Sequence, residues 1–138
     1  MKFLVKVNFA NIINIINNKE LPIYAKGKNS RVWIHVQDHC DALKCVLEKG
    51  VSGRVYNIGG NNERSNLEVV RAILDTVEKP HSLISFVEDR LGHDWRYAID
   101  NTRITTELGW SPKYTFEQGL QSTIEWYLNN RLWWHPLL

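Results

Sequence analysis

Apolar and polar residues alternate along the chain in a way that predicts helices interleaved with short strands. Phe3, Val7, Ile12, Ile15 and Ile16 fall near helical spacing and predict a helix over 3–17, although the β-branched residues among them equally suit a strand. Pro22 biases Leu21 away from helix, so 21–24 reads as a short extended piece and 26–29 as a turn. Over 31–37, Val32, Ile34 and Val36 alternate with Trp33, His35 and Gln37, which predicts a strand. Asp38 is placed to cap a helix that runs to about Lys49 and stops at Gly50. Ala42, Leu43, Val46 and Leu47 form its inner stripe.

A second strand is predicted over 53–60. Asn66 then caps a helix carrying Leu67, Val70, Leu74 and Val77 on one face, with Pro80 beyond its end. Another strand follows near 82–88. Asp100 or Asn101 opens a short helix that Gly109 closes. Thr115 and Gln118 make a capping box for the last helix, whose stripe is Phe116, Leu120, Ile124, Tyr127 and Leu128. No repeat or internal linker interrupts this order, and the expected class is mixed α/β in one domain.

With 138 residues the chain is long enough to hide about two-thirds of its unfolded surface. The composition, 43% hydrophobic and 23% charged, argues against disorder. A net charge of +2 is too small to suggest nucleic acid as a partner. No apolar run reaches 18 residues, and residues 1–6 do not read as a signal peptide, so the expectation is a cytoplasmic protein with no membrane partner. Cys40 and Cys45 stand five apart, too far along one helix for a disulfide, and read as buried reduced thiols.

Three stretches could hold an anion. The most polar is 88–97, where Arg90, His93 and Arg96 mix with Glu88, Asp89 and Asp94 around Gly92. Arginine offers a fork to phosphate and glycine admits close backbone approach, but the same residues also suit a solvated loop of paired charges. Lys26, Lys28 and Arg31 surround Gly27 beside Tyr24, which suits a base and a phosphate, or an ordinary exposed turn. Residues 61–66 lead from Gly59 and Gly60 into a helix N-terminus, where anions are favoured, though Asn66 also serves as a simple cap.

Other patterns fail. His35 and His39, read as lying on a strand and on the next helix, share no face for a metal. His93 and Asp94 have no nucleophile placed beside them, and Glu107 and Glu117 read as surface charges. Tyr24 and Lys28 have the short-chain dehydrogenase spacing, but that pair works on a helix and these residues flank a turn. No Gly-x-Gly-x-x-Gly turn is present, so neither catalytic residues nor a metal site are assigned.

Six segments in order carry a resemblance. They are Leu-Pro-Ile-Tyr-Ala-Lys-Gly (21–27), Arg-Val-Trp-Ile-His-Val-Gln-Asp-His (31–39) and Val-Tyr-Asn-Ile-Gly-Gly-Asn-Asn-Glu (55–63). Asp-Arg-Leu-Gly-His-Asp-Trp-Arg-Tyr-Ala-Ile-Asp (89–100), Leu-Gly-Trp-Ser-Pro (108–112) and Glu-Trp-Tyr-Leu (125–128) complete them. Together they resemble the dTDP-glucose 4,6-dehydratases, extended short-chain dehydrogenases of the NAD-dependent epimerase/dehydratase superfamily. The family reaction oxidises glucose C4 with NAD, eliminates water across C5 and C6, and returns the hydride to C6, in deoxysugar (rhamnose precursor) metabolism.

The resemblance implies the C-terminal, nucleotide-sugar-binding portion of that fold: a small mixed sheet with helices, without the N-terminal Rossmann half. It implies NAD as cofactor of the full-length family and none for this chain alone, which is expected to be inactive. The implied ligand is dTDP-glucose or dTDP, with self-association or a separate N-terminal half as protein partner. The alternative is a non-catalytic nucleotide-sugar-binding module, or a subunit complemented by that half. The implied substrate contacts are Lys6, the nucleobase segment Pro22, Ile23 and Tyr24, the diphosphate residues Arg31, Arg90 and His93, and Asn66. Two positions depart from the family pattern: Val32 replaces an aspartate, and Leu91 replaces a proline that would stiffen the diphosphate loop.

Overall fold

The computed structural model describes residues 10–89 and 91–137. Residues 10–16 are helical (α1), Asn17 is already in the following turn, and residues 3–9 of the predicted 3–17 helix lie outside the described residues. Then follow β1 (Leu21–Tyr24), a 3-10 turn (Ala25–Gly27), β2 (Ser30–Trp33), α2 (Val36–Lys49), β3 (Asn62–Ser65) and α3 (Asn66–Thr76). β4 (Ile84–Val87), α4 (Thr102–Leu108), α5 (Phe116–Asn129) and α6 (Arg131–Trp134) complete the order. The mixed α/β class holds, with strand pairing divided between two small sheets. β1 and β4 pair in parallel, Leu21 opposite Ile84 and Tyr24 opposite Val87. β2 and β3 pair antiparallel, Ser30 opposite Ser65 and Trp33 opposite Asn62.

The main core joins Ile12 and Ile15 of α1, Leu21 and Ile23 of β1, Trp33 of β2, and Val69, Val70, Ile73 and Leu74 of α3 to Leu120 and Ile124 of α5. Each such side chain, fully buried, contributes roughly 1.5–3 kcal/mol. A second cluster packs Ala42 of α2 against Ile104, Leu108 and Trp110 around α4. The α4 and α5 expectations hold: Asn101 is the N-cap of α4, Gly109 ends it in the left-handed region, and Thr115 and Gln118 form the capping box.

Several boundaries differ from the pattern reading. The 31–37 strand ends at Trp33, because His35 caps α2 by accepting the Gln37 N–H on Nδ1. Val36, the last apolar residue of the alternation, is therefore a helical residue facing outward. Asp38 is not the cap. It is buried in the first turn and accepts the N–H groups of Lys113 (3.0 Å) and Tyr114 (3.1 Å).

The α2 stripe also divides. Ala42 is buried and Val46 packs against the second cluster, whereas Leu43 is 43% exposed and Leu47 87%. At 100° per residue, Val36, Leu43 and Leu47 line the side opposite Asp38 and Ala42, so the helix carries two apolar lines. Cys40 is exposed and Cys45 partly buried; both are free thiols, so the reduced state holds and the burial of Cys40 does not.

Residues 53–60, predicted as a strand, form no ladder with any described residue, and Gly53 lies in a turn. The strand is instead β3, within the stretch read as a loop. Its end also moves the cap: Ser65, not Asn66, caps α3 in a reciprocal box with Glu68. β4 falls inside the predicted 82–88 strand. In the tail, Trp134 is buried, while Leu132 and Trp133 are exposed.

Candidate functional site

Four of the candidate contacts meet around one turn. β1 alternates, with Leu21 and Ile23 inward and Pro22 and Tyr24 outward, so Tyr24 emerges at the strand's C-terminal end. Ile23 itself stands in the core at 4% exposure. The chain then reverses through Lys26 and Gly27, both at positive φ. Gly27 is required there, because a Cβ would lie 2.5 Å from the Leu67 Cβ and press on the first turn of α3. The turn thus seats Tyr24 beside the helix that begins at Asn66, whose N–H donates to the Asn29 carbonyl at 3.0 Å.

Residues 91–97 fold onto the same turn. Ser30 donates to the Trp95 carbonyl and accepts from the Tyr97 N–H, and Ser30 bridges Arg96 in parallel. Arg96 gives Glu63 two parallel hydrogen bonds, at 2.6 and 2.8 Å, tying the stretch to β3. His93 consequently reaches Tyr24: the two rings are perpendicular with centroids 6.4 Å apart. His93 pairs through Nδ1 with the Asp89 carboxylate at 2.6 Å, and its side chain is 12% exposed. The ionised carboxylate can only accept, so Nδ1 carries the proton.

Arg31 lies in β2 with its guanidinium 4.8 Å from the centre of the Tyr97 ring. It donates to the Ser30 carbonyl and, at 2.9 Å, to the Asp94 carbonyl. Two of its five donors are used among the described residues, which leaves three for an anion. Asp94 in turn accepts the Tyr97 hydroxyl, which raises the Tyr97 pKa above its ordinary value. Tyr24, Arg31, Asn66 and His93, from four separate segments, are therefore tied to one turn: His93 by its ring contact with Tyr24, Arg31 through the Asp94 carbonyl beside His93, and Asn66 by its backbone N–H to Asn29. Pro22 is exposed on the outward face of β1, and Lys6 and Arg90 lie outside the described residues.

Pattern reasoning missed the residues that hold the place together: Asn29, Glu63, Asp94 and Tyr97. Only the opposite charges of Glu63 and Arg96 offered a signal. A groove of about 540 Å³ lined by His39 and residues 56–58 and 98–100 lies apart from these contacts. Asp100 supplies the carboxylate of its lining, which disfavours an anion there. No group of three or more metal-ligating side chains occurs among the described residues, and none of their helices is long and apolar enough to cross a membrane.

The described residues form no dinucleotide-binding turn. A dinucleotide turn needs a Gly-rich link from a parallel strand to a helix with open N-terminal N–H groups. Here α2, α3 and α5 each have one first-turn donor engaged by the cap side chain, of His35, Ser65 and Thr115 in turn, and none follows a Gly-rich link from a parallel strand. No doubly wound parallel sheet is formed by the described strands.

The fold is that of the C-terminal portion of an extended short-chain dehydrogenase. The sequence model of the family described as GDP-mannose 4,6 dehydratase matches residues 2–123, and the chain belongs to that family. Within it the similarity runs to dTDP-glucose 4,6-dehydratases. The chain is 47% identical over 124 residues to the dTDP-glucose 4,6-dehydratase of Streptomyces niveus, covering 90% of this chain and 37% of that protein. A solved dTDP-glucose 4,6-dehydratase from Bacillus anthracis, in complex with NAD, superposes with a TM-score of 0.90 at 49% identity, over 96% of this chain and 42% of that one. A UDP-glucose 4-epimerase from Thermotoga maritima shares the fold, with a TM-score of 0.85 at 23% identity, over 91% of this chain and 40% of that one. The chain spans about two-fifths of the length of these proteins.

Proposed function

We propose that residues 1–138 form the nucleotide-sugar-binding region of a dTDP-glucose 4,6-dehydratase. The ligand is dTDP-glucose or dTDP. The observation that carries this reading is the convergence of Tyr24, Arg31, Asn66 and His93 on one turn, in a chain 47% identical to a relative of that name. Tyr24 offers a ring face to the base, with Pro22 beside it and Ile23 supporting from the core. Arg31 and His93, with Arg90, offer charge-assisted hydrogen bonds to the diphosphate, each contributing roughly 1.5–3 kcal/mol. Asn66 and Lys6 complete the contacts.

In this reading the chain alone is catalytically inactive, because NAD and the groups that exchange hydride and protons belong to the remaining length of the relatives. The test has two arms. Calorimetric titration should show saturable binding of dTDP-glucose. Incubation with dTDP-glucose and NAD should show no loss of one water from the sugar by mass spectrometry. Absence of binding by the folded chain would sink the binding claim, and turnover would sink the inactivity claim.

A second reading is a subunit completed by a separate N-terminal half. It is favoured by the exposed apolar line of Val36, Leu43 and Leu47 on α2, with Val51 and Val55 also exposed just beyond the helix. An apolar line of that length suits a protein contact. Co-purification of an NAD-binding polypeptide that restores turnover would establish it.

A further inference from the structure

We propose that Asn29 is a positioning residue that holds residues 91–97, and with them His93, in register with the N-terminus of α3. Asn29 follows the Ala25–Gly27 turn, where side chains ordinarily meet water, yet it is 0% exposed. Its backbone carbonyl accepts the Asn66 N–H at 3.0 Å, and its Nδ2 donates to the Asp94 carbonyl at 3.0 Å. One residue therefore touches both the start of α3 and the stretch that carries His93. Its Oδ1 is buried without a hydrogen-bond partner among the described residues.

That unpaired acceptor shows what the side chain is for. A leucine would fill a similar volume without leaving a buried acceptor unpaired, so as packing alone the amide is the poorer choice. What it supplies is the donor to Asp94. The same carbonyl also receives the Arg31 guanidinium, but that bond is exposed and Arg31 is free to turn toward an anion. The Glu63–Arg96 pair, with side chains 37% and 58% exposed, is a weak tether for the same reason. The part-buried Asn29 bond is the side-chain tie that persists, beside the Ser30 backbone bonds to Trp95 and Tyr97, while Arg31 engages a ligand.

The test compares the unsubstituted chain with Asn29→Asp, which keeps the shape and removes the donor, and with Asn29→Leu, which removes the unpaired acceptor as well. Two properties are read: amide hydrogen exchange by NMR, and affinities for thymidine diphosphate and for thymidine. The second property rests on the proposed function; the first does not. In both variants the Ser30 and Tyr97 amides should exchange about tenfold faster while the Ile124 amide is unchanged. Affinity for thymidine diphosphate should fall about tenfold with that for thymidine unchanged, and Asn29→Leu should show this with no loss of thermal stability. A purely structural asparagine would instead lower stability and weaken both ligands alike. Unchanged exchange at Ser30 and Tyr97, or an unchanged ratio of the two affinities, overturns the proposal. Should the unsubstituted chain bind neither ligand, the nucleotide-sugar reading fails and the exchange rates alone decide the role of Asn29.

Discussion

The His93 ring stands perpendicular to the Tyr24 ring, with centroids 6.4 Å apart, although one lies in an irregular stretch and the other ends a strand far earlier in the chain. This contact joins the residue proposed to face the base to one proposed to face the diphosphate. Tyr24→Ala should weaken thymidine diphosphate binding by about 1–3 kcal/mol, the range for stacking of a base on an aromatic ring. Its combination with His93→Ala should be non-additive in a double-mutant cycle, because the rings touch. Strict additivity in calorimetric titrations would show that they act apart.

Asp38 binds the start of α2 to the segment before α5 by accepting two backbone N–H groups at 1% exposure. Asp38→Ala strands both donors. It should lower the unfolding free energy by about 2–6 kcal/mol in urea, since each donor left unsatisfied away from water costs about 1–3 kcal/mol. A change below 0.5 kcal/mol, the ordinary range for surface positions, would contradict the assignment.

The Glu63 carboxyl is held below its ordinary value of 4.5, first by the hydrogen bond from Arg96. A carboxyl with a depressed folded pKa binds fewer protons folded than unfolded. Its stabilising contribution is therefore present above 4.5 and is lost as pH falls through the lower folded value. The tether between β3 and residues 91–97 should then hold at neutral pH and loosen only in acid. A carboxyl-carbon NMR titration should place the Glu63 midpoint below 4.5, and a midpoint at or above it would contradict the pairing.

Leu47, at 87% exposure, contributes little to this chain's own packing. Leu47→Lys should change stability by no more than about 0.5 kcal/mol. It should also reduce self-association in sedimentation experiments, since it places a charge in the exposed apolar line of α2. A loss of several kcal/mol would mean that the α2 line is part of the core.

Elements specified by their own residues were legible in the sequence. Thr115 and Gln118 announce α5, Gly109 ends α4, and Pro22 marks β1, each through local chemistry. Elements decided by partners were not. The apolar alternation runs through Ile34 and Val36 past the point where His35 caps α2. Ser65 and Asn66 are both good caps, and only the Glu68 side chain, reaching back to Ser65, decides between them. Leu43 and Leu47 looked inward because a helix with two apolar faces has the same local spacing as one with a single wide face. At the site, Arg31 and His93 were recognisable as charged residues in motifs. Asn29 was not, because an asparagine in a turn is ordinary until its burial is seen.

The most direct measurement is a titration of the full chain with dTDP-glucose and, in parallel, UDP-glucose, followed by amide NMR. Saturable shifts confined to Tyr24, Arg31, Asn66, His93 and their neighbours, at lower concentrations of dTDP-glucose than of UDP-glucose, are the predicted result. A folded chain whose spectrum does not move with either ligand, or moves only around the groove at 56–58 and 98–100, would contradict the account.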